Sequence, residues 1–440
     1  MSMRVTRVRI FLFIVALVLV AAGGTYYWWH MAHAVPAVVY QTPQEANVYV
    51  RFDMEAYDKI TANYWQKVAD ADLAALYQLS LQKAEGTTTL PVLATKDRTG
   101  VAAMLGTAMA EATSTVAEKS LALNVVTIAL YNLAPAGRDS LLAQAQEVAL
   151  RNEVANVNPS TNLYNAIGLA TTSSVEAVQS AYAATKAALA ASTSPAAKAE
   201  LQKAAYAAEV LTNTNDKALY DQAHIEPTVF PHIIGHTLYL DISQISPTTL
   251  QEFVQAVDTA STTPGLDSMI LDLRGNIGGA LDFAPAFLGL FIGQNQYAFD
   301  FFHQGNYLPQ RTTEPEFTEL ARYRDIALLT DNMTQSTAEI VTAMFKRFNL
   351  GHVVGGTTRG WGTVENTTPL TTVIDPSASY ALLLVQYITL RDDGQPIEGR
   401  GVDPNVNISD KNWQQELPTY FRSQSLISAL EQEAPNPPLK

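Results

Sequence analysis

Ser268-Met-Ile-Leu-Asp-Leu-Arg-Gly-Asn-Ile-Gly-Gly279 decides the architecture of this 440-residue chain. Its first half, Ser268 to Leu273, is an apolar run of strand length, suited to a parallel sheet covered on both faces. Its second half ends on Gly278 and Gly279, which let backbone N–H groups turn inward. A helix is expected from Gly279 to Phe291. The same alternation recurs on both sides. Upstream, Thr237 to Ile242 reads as a strand and Pro247 to Ala260 as a helix. Downstream, Ile326 to Thr330 reads as a buried strand, Ser336 to Phe348 as a helix and His352 to Val354 as a short strand. Strand–helix alternation of this kind predicts an α/β core with a parallel or mixed sheet. β-rich stretches follow at Thr371–Ile374 and Tyr380–Leu390, with a turn at Asp392-Asp-Gly394.

Two loops of this core lie at the C-terminal ends of strands, where open α/β sheets place their sites. One carries Gly278 and Gly279, whose amides are suited to an oxyanion hole. The other, Asp331-Asn-Met-Thr-Gln-Ser-Thr-Ala-Glu339, puts Ser336 at a helix N-terminus, where the helix dipole favours a developing anion. Taken singly, a Gly-Gly is an ordinary tight turn and Ser336 an ordinary N-cap.

The rest of the chain is organised differently. Arg4, Arg7 and Arg9 precede an uncharged run from Ile10 to Trp29, closed by Tyr26-Tyr-Trp-Trp29. About twenty residues at 1.5 Å each match a bilayer core. The arginines predict a cytoplasmic N-terminus with the bulk of the chain outside. The competing reading is a signal peptide cleaved at Ala32-His-Ala34. Asn47 to Phe52 alternates like a short strand. From Tyr57 to about Asn152 the pattern is helical, with Leu73, Leu76, Leu79 and Leu81 on one face, and breaks at Gly86–Pro91 and Pro135-Ala-Gly137. Further helices are expected at Asn162–Leu169, Val175–Ala191, Pro195–Leu211 and Asp216–Gln222. A last one is expected at Tyr420–Glu433, before a disordered end.

Composition narrows the chemistry. A net charge of −14 disfavours nucleic acid and anionic lipid as partners, and no nucleic acid is expected. There is no cysteine, hence no disulfide, thiol nucleophile or cysteine metal site. The seven histidines show no metal-ligand pairing, so neither a metal nor a cofactor is expected.

Two resemblances follow from these motifs. Asn162-Leu-Tyr-x-x-Ile-Gly-Leu169, Ala181-Tyr182, Glu209-Val-Leu211 and Ala218-Leu-Tyr-Asp-Gln222 resemble a DnaJ-type J domain. The position of the family's His-Pro-Asp tripeptide is Ala190-Ala-Ser192, so a DnaK-type chaperone is not an expected partner. In the core, Leu271-Asp-Leu-Arg-x-Asn-x-Gly-Gly279 is similar to the Leu-Asp-Leu-Arg-x-Asn-Pro-Gly-Gly motif of the carboxyl-terminal-processing (tail-specific) serine peptidases, with Ile277 in place of the proline. Gln335-Ser-Thr-Ala-Glu339, Val354-Gly-Gly-Thr-Thr-Arg-Gly-Trp-Gly-Thr-Val-Glu365 and Ile397-Glu-Gly-Arg-Gly-Val-Asp-Pro404 match three further family motifs in order. The resemblance covers 226–410; no PDZ domain is evident.

The expected arrangement is a multi-domain α+β chain. A transmembrane anchor (1–34) leads to a helical domain (35–156), a J-like helical hairpin (157–225), an α/β tail-specific-peptidase core (226–410) and a C-terminal helix and tail (411–440). The resemblance implies a polypeptide substrate or ligand, Ser336 as nucleophile, and Gly278, Gly279 and Thr337 as oxyanion donors. It also implies a lysine base oriented by a glutamine, but those positions hold Trp361 and Glu365. An indole N–H only donates and accepts no proton. Three readings stay open. One is a peptidase with another base, either Glu365 or, as in related tricorn-type enzymes, a histidine such as His236 or His352. The second is an inactive relative that binds extended peptides. The third is an envelope assembly module.

Overall fold

The computed structural model describes residues 41–159 and 161–438. The expected membrane segment Ile10–Trp29 lies outside the described residues. Among the described residues no helix is long and apolar enough to cross a membrane.

Four helices come first: α1 (Val48–Asn63), α2 (Asp70–Glu85), α3 (Arg98–Glu111) and α4 (Thr115–Tyr131). The strand expected at Asn47–Phe52 is the start of α1. Asn47 Oδ1 accepts from the backbone N–H groups of Tyr49 and Val50 and so starts a helix. The alternation misleads because α1 is buried around most of its circumference, with Val50, Phe52, Met54, Ala56, Tyr57 and Ile60 all inside. On α2, Leu73 and Leu81 are buried but Leu79 is exposed. The helical pattern expected up to Asn152 is broken by strand β1 (Ser140–Ala143), after which α5 runs over Gln144–Val154. Four residues are too few to show a period, so β1 has no sequence signature.

Residues 161–223 form a helical hairpin: α6 (Val175–Leu189), α7 (Pro195–Thr212) and α8 (Thr214–Ala223). Pro195 sits at the first turn and Ser194 Oγ caps Ala197 N. Leu163, Val178, Ala204, Ala207, Leu211 and Tyr220 make its private core. The helix expected at Asn162–Leu169 is only a 3-10 turn, Asn165–Ile167. Ala190-Ala-Ser192 joins the long helices with no titratable group. The likeness to a J domain rests on sequence alone.

The core has two sheets. Strands β2 (Val229–Ile234), β3 (Thr237–Ile242) and β4 (Ser268–Asp272) flank helix α9 (Thr249–Ser261). Then come α10 (Phe283–Ile292), β5 (Tyr297–His303), β6 (Asn306–Arg311), β7 (Asp325–Thr330), α11 (Thr337–Arg347) and β8 (His352–Gly355). The chain continues through β9 (Thr363–Pro369), β10 (Tyr380–Thr389) and β11 (Val406–Asn407) to α12 (Trp413–Tyr420) and α13 (Gln424–Glu433). The first sheet has the order β11-β8-β7-β4-β3-β2, parallel except for β2. Its pleat sorts side chains between two layers. Leu238, Leu240, Met269 and Leu271 face the α9–α11 layer. Tyr239, Ile270, Leu329 and Val354 face α12 and α13, through Trp413, Leu417 and Leu430. That cover on both faces is why Ser268–Asp272 reads as an unbroken apolar run.

The second sheet is antiparallel, with β10 at its centre bonded to β1, β5 and β9. Through β1 it ties the N-terminal helices to the core. Val50, Tyr57, Leu105 and Val126 share one cluster with Leu370, Leu382 and Val385. Two expectations change here. Thr371–Ile374 forms no strand, because the Glu55 carboxylate of α1 takes the Thr371 and Thr372 amides. The helix expected to begin at Gly279 begins at Phe283, because Gly279 pairs with Ile245 in a β-bridge. The last expected helix starts at Gln424, after an extended Phe421. The end expected to be disordered is held as far as Asn436, whose carbonyl accepts from Arg274.

Candidate active site

Ser336 follows the C-terminal end of β7 at φ 55°, ψ −126°. A non-glycine residue at positive φ is strained by about 1–3 kcal/mol and needs its surroundings to hold it. Those surroundings are explicit. Glu339, fully buried, accepts the Ser336 N–H at 3.0 Å, the Gly360 N–H at 2.7 Å, the Trp361 N–H at 2.7 Å and the Thr358 hydroxyl. One carboxylate therefore fixes the serine turn to the 358–361 loop. Burial pushes its carboxyl upward, against the pull of those four donors. Ser336 stands at the N-cap of α11, and Glu339 at the third helical position returns its carboxylate to the Ser336 N–H, as in a capping box.

The glycine loop is locked to the same turn. Asn276, fully buried, donates to Ile242 O at 2.6 Å and accepts the Gly278 N–H at 2.8 Å. Its carbonyl accepts the Gln335 N–H at 2.9 Å. Gly278 has φ +82°, and a Cβ there would stand 2.7 Å from Ser336 Cβ and 2.9 Å from Thr337 N. At Gly279 a Cβ would fall 1.9 Å from Ile245 O. Both positions exclude any side chain on contact grounds alone. Of the three expected oxyanion donors, the Gly278 amide is occupied by Asn276. Among the described residues the Gly279 and Thr337 amides have no hydrogen-bond partner, which leaves them available to a ligand oxygen. Asp331 completes the stitching: its Oδ1 accepts the amides of Gly275, Met333 and Thr334.

The Leu-Asp-Leu-Arg part of the motif is structural. Asp272 and Arg274 form a buried ion pair with Nε–Oδ1 at 2.9 Å. Arg274 also donates to the carbonyls of Glu433 and Ala434, closing the end of α13.

The 361–365 segment, tied to the Ser336 turn through Glu339, is built differently. Trp361 Nε1 donates to Glu365 Oε1 at 3.0 Å, and Thr363 Oγ1 donates to the same oxygen. The Arg138 guanidinium lies over the indole, 3.5 Å from its centroid, a cation–π stack. Arg138 also holds Glu398 Oε1 at 2.9 and 3.2 Å, while Glu398 Oε2 accepts the Gly362 N–H at 2.9 Å. Burial pushes the Glu365 carboxyl upward. Asp139 is pushed up to about 7 by burial, against the pull of the Val385 N–H, with a smaller upward push from the Glu365 charge. Arg138 and Asp139 gave no sequence signal. They follow the Pro135-Ala-Gly137 break of the helical segment, and the pairing of β1 with β10 carries them to Trp361 and Val385.

Neither candidate histidine is at the site. His236 precedes β3 and bonds Gly265 O; His352 opens β8 and packs against the rings of Tyr420 and Phe421. Both lie at the N-terminal ends of parallel strands, roughly 15–20 Å from the edge that carries Ser336. Among the described residues no cluster suited to a metal ion occurs.

Comparison with known proteins bears on the same segment. Residues 236–408 match the model of Peptidase family S41. The chain is 27% identical over 180 residues to a "Probable CtpA-like serine protease" of Staphylococcus epidermidis, covering 41% of this chain and 35% of that protein. A Staphylococcus aureus protein of the same name is 30% identical over 150 residues, covering 34% of this chain and 29% of that one. The chain thus spans about a third of the length of the curated relatives it matches. The photosystem II D1 C-terminal processing protease aligns at TM-score 0.47 and 12% identity, over 82% of this chain and 93% of that one. A lipoprotein from Streptococcus agalactiae aligns at 0.43 and 14%, over 88% and 98%.

Proposed function

Taking a chain whose residues 236–408 carry a peptidase family S41 core as the premise, we propose that it is a serine peptidase acting on polypeptides, with Ser336 as nucleophile and Glu365 as its non-standard base. The observation that carries this reading is the backbone of Ser336, held at positive φ beside two unbonded amides. Strain of that kind persists where a turn must present a side chain. In the reaction, Ser336 Oγ attacks the peptide carbonyl as its proton passes to Glu365. The amides of Gly279 and Thr337 receive the oxyanion. The proton then goes to the leaving amine, and water releases the acyl group. The Ile10–Trp29 segment, read as an anchor, would hold this activity at the outer face of a membrane.

A second reading rests on Trp361. An indole stands where the family resemblance places the base, so the cleft would capture peptides without cutting them. The test is labelling of the full chain by a fluorophosphonate, with turnover of an unstructured fluorogenic protein, each compared with Ser336→Ala. Labelling and turnover that vanish in the variant support the peptidase. Neither signal in the native chain, with binding of peptides ending in a free carboxylate, supports the capture module and overturns the first reading.

A further inference from the structure

Asp139 is 3% exposed and stands just before β1. Its Oδ1 accepts the Val385 N–H at 2.6 Å. Its Oδ2 is buried and takes no hydrogen bond. Val385 is the register partner of Glu365 across β9 and β10. One residue of β10 therefore lies between two carboxyls, Asp139 from the N-terminal half and Glu365 from the core. An orphaned buried oxygen costs free energy unless something uses it.

We propose that Asp139 is a further functional residue of the Ser336 site, acting through Glu365: it makes the two carboxyls one coupled proton acceptor, which replaces the missing amine base. Two buried carboxylates repel, so taking up a proton relieves the pair and makes it a stronger base than Glu365 alone. The Ser336 O–H bond breaks, its proton bonds a carboxylate oxygen of Glu365, and Oγ bonds the acyl carbon. The same proton leaves with the amine, and the pair returns to its starting charge. Burial raises both carboxyls; the Glu365 charge adds to the rise at Asp139, while the Arg138 charge opposes the rise at Glu365.

The charged surroundings of the pair are defined. Arg138 is bound to Glu398 and stacked on Trp361. Tyr64 donates to Ala134 O, and its phenol is pushed up by burial and then by Asp139. His303 is bound to Gln386 O on β10. This inference rests on the peptidase reading, and the experiment separates the two.

The experiment measures fluorophosphonate labelling of Ser336 in the full chain from pH 5 to 9, alongside thermal unfolding at each pH. In the native chain, labelling rises about tenfold between pH 6 and pH 8, following a group near 7. In Asp139→Asn, that rise falls below about twofold, and labelling at pH 8 is about tenfold lower. A rise unchanged in the variant overturns the proposal and leaves the peptidase reading standing. Absent labelling in the native chain overturns the peptidase reading. The pair is then judged by unfolding, where a melting temperature with the same pH dependence in both proteins overturns it. Glu365→Gln gives the reciprocal unfolding profile should Asp139→Asn fail to fold, and an unchanged profile there again overturns the pair.

Discussion

The two segments that Glu339 joins, the Ser336 turn and the 361–365 stretch, are built from different materials. The cradle around Ser336 uses backbone amides held by Glu339, Asn276 and Asp331. The 361–365 stretch uses side chains: Trp361 and Glu365, with Arg138 stacked on the indole and Asp139 bonded to the register partner of Glu365. A cradle of amides is specified by loop geometry and tolerates drift elsewhere. A base is specified by one atom type, and a single substitution removes it. The chain accordingly keeps the glycine and serine loops of the resemblance while an indole stands at Trp361, where the resemblance implies a base.

Removing the clamp gives the largest expected effect. Glu339→Gln turns an acceptor of four donors into a group that meets an N–H with N–H. Stability should drop by about 3–5 kcal/mol, read by denaturant unfolding, with loss of Ser336 labelling. If stability is unchanged, the cradle is not held as described. Trp361→Lys attacks the other half. Restoring an amine should raise peptide turnover by roughly 10²–10⁴-fold, increasing with pH as the lysine loses its proton. No gain would mean that the cradle, not the base, limits the native chain.

Gly278→Ala sharpens the comparison from the cradle side. The new Cβ meets Ser336 Cβ at 2.7 Å at a positive φ. Stability should fall by about 1–3 kcal/mol and labelling at least tenfold, whereas Gly275→Ala, with nothing within 4 Å, should cost only its φ strain.

A pH effect belongs to the base side. Asp139 has an ordinary unfolded value of about 4 and about 7 when folded. The unfolded chain therefore releases this proton first. Stability from this group is complete below pH 4 and is lost as pH rises to about 7. Asp139→Asn should flatten that slope in melts across this window. The smallest effect comes from Ser336→Gly, which should stabilise the fold by about 1 kcal/mol by relieving the positive φ.

Much of the core was legible in advance. The strands around Ser268–Asp272 and Asp325–Thr330 are apolar without a break because helices cover both faces of their sheet, and such runs are plain in a sequence. The pairing of the glycine loop with the Ser336 loop was legible too, since both end parallel strands. The antiparallel sheet was legible only at β10, because β1, β5, β6 and β9 are short or exposed and show no clean period. Asn47–Phe52 was misread because a helix buried all round hides its period.

By itself the sequence determined the peptidase-like core, the positions of Ser336, Gly279 and Thr337, and an indole at position 361 where the resemblance implies an amine. These are local facts, carried by residue type and by spacing along the chain. Only the tertiary structure decided that Ser336 is strained, that Gly278 spends its amide on Asn276, and that His236 and His352 stand at the wrong end of the sheet. Only it brought Arg138 onto Trp361 and Asp139 onto Val385, the register partner of Glu365, each across more than two hundred residues of chain. Pairing between β1 and β10 does this, and strand pairing is set by hydrogen bonds between distant backbones, which leave no trace in either segment alone.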